Sequence, residues 1–164
     1  MKMNLLAALM LISFSLAAQT TPPKPATPAL TYGEPITLET AKKIVMAAEA
    51  FALKSEWAVA IAIVDTGGNL VLFEKLPNTQ IGSIEVAIGK AKTSNNFKRP
   101  TKAMEDAVAG GGSGLRLLAV PGVFPIDGGE LIMQNGKIIG AIGVSGVMAN
   151  QDAEVAKAGL TAVK

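Results

Sequence analysis

Two residue types are missing outright: the chain has no cysteine and no histidine. Without Cys there is no disulfide, no thiolate nucleophile and no Cys-ligated metal, and a lipid-modified Cys behind a leader is excluded as well. Without His, the commonest general base and the commonest transition-metal ligand are gone. Any chemistry here must run without imidazole. Aromatic residues are scarce at 4%, and charge is nearly balanced at a net +2. No Lys/Arg cluster with interleaved aromatics occurs, so the electrostatic footprint of a nucleic-acid binder is absent.

Long apolar runs are scarce too. The longest, Leu5 to Ala18, covers fourteen residues, short of the roughly 20 that span a bilayer. With Lys2 before it and Ser15, Ala17 and Ala18 at its end, MKMNLLAALMLISFSLAAQT has the order of a secretory signal, residues 1–18. The expected destination is the periplasm or the medium, with no membrane attachment after cleavage. QTTPPKPATPAL, residues 19–30, is Pro- and Thr-rich with no hydrophobic period and reads as a mobile linker. Residues 31–164 remain as one domain.

Within it, Thr37 precedes LETAKKIVMAAEAFALKSEW, a helix with Ala41, Ile44, Val45, Ala48 and Ala52 on one stripe. AVAIAIVD (58–65) and LVLFEKL (70–76), joined by TGGN, form a hairpin. A second helix covers 81–97, and Thr101 is placed to cap a short third one, KAMEDAVAG, that stops at GGGSG (110–114). LRLLAVPGVFPID (115–127) reads as irregular apolar chain. ELIMQ and KIIGAIGVS flank Asn135-Gly136, the strongest short signal for a type I′ hairpin. DAEVAKAGLTAV (152–163) closes the chain as a helix with Asp152 in its first turn, where the dipole favours an acid. Helices around antiparallel hairpins make an α+β domain.

Gly140, Gly143 and Gly146 recur every third residue in the last strand. They are not a dinucleotide fingerprint, which needs a strand-to-helix turn. Glycine inside a strand marks a bend, a bulge or close approach, either of a packed helix or of a ligand.

Three stretches carry a family resemblance: VAIAIVDTGGNLVLFEKL (59–76), KAKTSNNFKRPT (90–101), and GGELIMQNGKIIGAIGVSG (128–146) followed by Asp152 in DAEVAKAG. Together, and in this order, they resemble the GlcG/HbpS family, the haem-degrading domain family related to the C-terminal domain of PduO-type proteins. One departure is Ser94, where the family pattern has Ala. The resemblance implies a profilin-like sheet of about five antiparallel strands flanked by helices, the fifth falling within 115–127. It also implies homo-oligomers and, for several exported members, haem binding.

On that footing the candidate ligand-binding residues are Lys90, Arg99, Thr101, Gly128, Gly129, Glu130 and Ser145. Lys90 is either a solvated helix residue or a pocket cation. Arg99, at a helix break, can present its planar fork to a haem propionate or a small organic acid, or pair with Glu105 or Asp106. Gly128-Gly129 can expose backbone N–H groups as an anion nest. Glu130 stands where related sequences carry a small or apolar residue, and its carboxylate would oppose an anionic ligand. Ser145 lacks a His base, leaving only a Ser–Lys pair with Lys90. Asp65 reads as a turn residue accepting from Gly67 and Gly68. For haem iron, Tyr32, Met or Lys would have to replace His, although Met46, Met104, Met133 and Met148 read as core filling. Three functions follow: an exported binding protein for haem or another small anionic ligand, a small lyase, isomerase or haem-degrading enzyme using Lys, Arg and carboxylates, or an interaction module without an active site.

Overall fold

The computed structural model describes residues 29–163, so the leader and most of the linker lie outside the described residues. Helix α1 (Leu38–Lys54) leads into the hairpin β1 (Ala60–Asp65) and β2 (Leu70–Lys75). Helices α2 (Ser83–Phe97) and α3 (Lys102–Ala109) follow, then a 3-10 helix (Gly112–Ala119), the hairpin β3 (Gly129–Gln134) and β4 (Lys137–Ser145), and α4 (Ala149–Leu160). All strand pairs are antiparallel, in the order β2-β1-β4-β3. The α+β reading holds.

The strand sequences decide which helix lies on which face. Side chains alternate across a strand, and β1 alternates Ala60, Ile61, Ala62, Ile63, Val64, all fully buried. Ile61 and Ile63 join Ile142 and Val144 of β4 in the larger core, with Ile44, Val45 and Ala48 of α1 and Val155 and Ala156 of α4. Each such branched side chain contributes about 1.5–3 kcal/mol on burial. The opposite face is almost all small: Ala60, Ala62, Val64 and Ala141 meet Ala87 and Ala91 of α2. A face of alanines keeps α2 close to the sheet.

Gly143 shows how close. A Cβ there would lie 2.1 Å from the Ala87 carbonyl oxygen and 2.5 Å from the Ala91 nitrogen. At Gly140 and Gly146 the obstruction is the backbone of Val64 and Ala58, 2.2 Å away in both cases. The glycine cadence therefore admits neighbouring backbone, not a ligand.

The expected fifth strand is not there; the described residues form four. Gly112–Ala119 is instead a 3-10 helix with no buried residue. The chain then returns through Phe124, whose ring occupies the notch left by Gly89: a Cβ at Gly89 would lie 2.3 Å from it. Two prolines, Pro121 and Pro125, deprive this stretch of ladder donors. A trace of a further strand lies elsewhere, where Tyr32 forms a lone parallel bridge to Ile138. The β3–β4 turn has positive φ at Asn135 (51°) and Gly136 (73°), as a type I′ turn requires. Helix α4 begins three residues before the expected Asp152, at Ala149. Of the methionines, Met104 is core, whereas Met46 and Met148 are 66% and 69% exposed. Those two fill no core.

Candidate functional site

The sequence candidates fall into one packed junction and three outliers. At the junction Lys90 is 1% exposed, the largest fully buried side chain. Its Nζ donates to Asp152 Oδ2 at 2.8 Å and to the Val144 carbonyl at 3.0 Å. Lys90 is thus neither on a solvated face nor free in a pocket. Asp152, beyond favouring the helix dipole, is the counter-charge: its other oxygen accepts from the Val147 N–H at 3.1 Å. Burial pushes the Asp152 carboxyl above its ordinary value, and Lys90 and the backbone donors only partly offset this.

Gly128 and Gly129 pass across this pair. Gly128 has φ +114°, a region closed to side chains, and a Cβ on it would lie 2.8 Å from the Asp152 Cβ and 3.0 Å from Lys90 Nζ. Both nest hydrogens are engaged. Gly128 N–H donates to Asp127 Oδ1 and Gly129 N–H to Thr101 Oγ1, each at 2.8 Å. Thr101 does not cap α3 with its side chain, contrary to expectation. Its backbone N–H also donates to the Gly129 carbonyl at 2.9 Å, so Thr101 closes the start of the exposed edge of β3.

The outliers point elsewhere. Glu130 is 8% exposed and faces Lys157 Nζ at 3.6 Å. Burial raises its carboxyl, Lys157 opposes that, and the charge of Asp127 adds to it. Ser145 Oγ lies 3.2 Å from Ser83 Oγ. Its hydrogen-bond partner is a hydroxyl and no Ser–Lys pair forms. Arg99 is exposed, and its Nε donates to the Phe97 carbonyl at 3.0 Å. Glu105 and Asp106 do not pair with it: both bridge to Lys102, and Glu105 also accepts from the Asp127 N–H at 2.7 Å. Asp65 accepts from the N–H groups of Gly67 (2.8 Å) and Asn69 (2.9 Å), not Gly68, whose N–H donates to the Asp65 carbonyl instead. Burial works against ionisation there, but the surrounding donors outweigh it and hold the carboxyl low. The turn reading of Asp65 stands.

Tyr32 is the one tyrosine. Its hydroxyl donates to the Asn95 carbonyl at 2.7 Å, and Lys98 Nζ sits 4.5 Å above its ring. It is tied to the end of α2.

A concave surface exists away from these residues. Between α1 and α4 lies an open groove of about 710 Å³, floored by Ala47, Ala50, Phe51 and Ala158 with Lys54, Lys157 and Glu154 at its rim. Gly159 explains its position, since a Cβ there would lie 3.0 Å from the Ile44 carbonyl oxygen and 3.2 Å from the Ala48 Cβ. The helices cross in near contact at that point, and the alanines beside the crossing are too small to fill the space between them. Sequence reasoning missed this groove. The signal available was the pairing of small residues with one aromatic, Ala47, Ala50 and Phe51 on α1 and Ala158 on α4.

Residues 36–161 match the family model described as haem degrading protein HbpS-like. The chain belongs to the HbpS-like family. It is 37% identical over 127 residues to an uncharacterised 15.0 kDa protein from the dhaT–dhaS intergenic region of Citrobacter freundii, covering 76% of this chain and 89% of that one. It is 33% identical over 105 residues to the protein GlcG of Escherichia coli K12, covering 64% and 77%. A crystal structure of a PduOC–haem complex superposes with a TM-score of 0.73 at 26% identity, covering 79% and 96%.

Iron ligation through imidazole does not fit this HbpS-like chain, which has no His. Tyr32 is engaged with Asn95, and Met104 is buried. The exposed thioethers of Met46 and Met148 are the soft donors at the surface among the described residues.

Proposed function

We propose that this protein binds a haem-like or other small anionic ligand without imidazole ligation, and that it does so after export behind the leader of residues 1–18. Membership of the HbpS-like family, with a haem complex solved for a relative of the same fold, is the observation that carries the reading. The molecule has suitable anchors for carboxylates, including the exposed Arg99 guanidinium and the lysines bordering the α1–α4 groove. The catalytic reading gains no support from the junction. Lys90 and Asp152 neutralise one another inside the core, and Ser145 meets another serine.

The test is a haemin titration of the mature, untagged protein, because a His tag would supply the ligand this chain lacks. Saturation near one haemin per chain with a sharp, shifted Soret band is expected. A non-saturating spectrum matching free or aggregated haemin would remove haem as the specific ligand.

A further inference from the structure

We infer that the α1–α4 groove is the ligand site, and that it takes flat or elongated apolar molecules bearing a carboxylate or other anionic group; this rests on the binding reading above. The groove's size is the first argument. At about 710 Å³ it falls inside the roughly 300–1,000 Å³ of ligand pockets. The lining is the second. Ala47, Ala50, Phe51 and Ala158 form a shallow apolar floor with one aromatic surface, and the Thr161 hydroxyl that also lines it donates to the Ala158 carbonyl at 2.7 Å.

Charge is the third argument. Lys54 stands at the rim from the last turn of α1 and Lys157 from the last turn of α4. Lys54 has no ion-pair partner among the described residues. Lys157 reaches Glu130 at 3.6 Å, and Glu154 is the one rim carboxylate. An apolar floor between two ammonium groups on flexible stems suits an apolar body with an anionic edge. An uncharged apolar ligand would leave Lys54 unused, and a polar anion would leave the alanine floor wet.

The packed junction offers no comparable space. Its cation is enclosed with Asp152, and a Cβ added at Gly128 or Gly129 would lie 2.8 Å or 2.6 Å from neighbouring atoms.

The experiment uses two probes, haemin and 8-anilinonaphthalene-1-sulfonate, on the mature untagged protein and three variants: Lys54→Glu, Lys54→Gln and Ala50→Phe. Both positions are exposed, so the melting temperatures should match wild type. Both probes should bind wild type saturably and compete with one another. Lys54→Glu and Ala50→Phe should each weaken binding at least tenfold, with Lys54→Gln in between. Haemin bound equally by wild type and variants would place the site elsewhere, overturning the groove while leaving the binding reading intact. Sulfonate binding lost in the variants, with no haemin binding at all, would keep the groove and remove haem-like ligands. Failure of both probes on wild type, or a loss of native mass in Ala50→Phe showing that a second copy fills the groove, would overturn the inference.

Discussion

Replacing Lys90 with Met should be the most informative single perturbation of this fold. The Lys90 ammonium and the Asp152 carboxylate lie 2.8 Å apart, with side chains 1% and 3% exposed. At that separation and an effective dielectric near 20, their attraction is about 6 kcal/mol. The long apolar Met occupies most of the lysine's volume, so the change removes charge more than packing. It leaves a carboxylate buried, for which about 3–5 kcal/mol of lost stability is expected at pH 7. The pH dependence separates this account from simple loss of packing. Asp152 already has a raised carboxyl in the folded protein because burial outweighs its partners. A folded pKa above the unfolded one means that the native state binds the extra proton, so this group's contribution improves as pH falls. Deleting the ammonium raises the carboxyl further and widens that window. Urea denaturation at pH 7 and pH 5 should therefore show the Lys90→Met deficit shrinking by about 1 kcal/mol or more. The double variant Lys90→Met/Asp152→Leu should recover most of the loss. A deficit below about 1 kcal/mol, or one unchanged between the two pH values, would refute the reasoning.

Three further outcomes follow from the same geometry. Gly143→Ala should lower stability by about 1–3 kcal/mol or more, read from the thermal midpoint, because the added methyl meets the backbone of α2 at Ala87 and Ala91. Ser94→Ala should raise stability by about 1 kcal/mol, since the buried Ser94 hydroxyl has no hydrogen-bond partner; a loss on denaturation would show that the hydroxyl is satisfied. Lys157→Ala should cost up to about 1 kcal/mol at about pH 8, Lys157 being exposed, and less as the pH falls below the ordinary glutamate value, since burial raises the Glu130 carboxyl and favours its neutral form there. A deficit that grows on acidification would contradict the assignment.

Local chemistry made much of the fold legible. The Thr37 cap, the apolar stripe of α1, both hairpins and the Asn-Gly turn follow from short-range rules, and the structure has them. The 3-10 helix was not legible, because Leu115, Leu117 and Leu118 suggest a core segment whereas none of the eight residues is buried. The site was harder. Lys90, Thr101, Gly128 and Gly129 do converge, but sequence gave no means of seeing that Asp152 encloses the lysine and Thr101 the glycine amides. The groove depends on the relative placement of two helices more than 90 residues apart in the chain. Its alanines carry no chemistry until Gly159 sets the crossing.

The most direct test of ligand binding uses a reporter already in place. Trp57 is the single tryptophan, and its ring lies 6.0 Å from that of Phe51, which lines the groove. Haemin seated there should quench Trp57 emission steeply up to one equivalent and then no further, with Lys54→Glu shifting the curve to higher haemin. Quenching that rises without saturation, or that is identical in Lys54→Glu, would contradict the account.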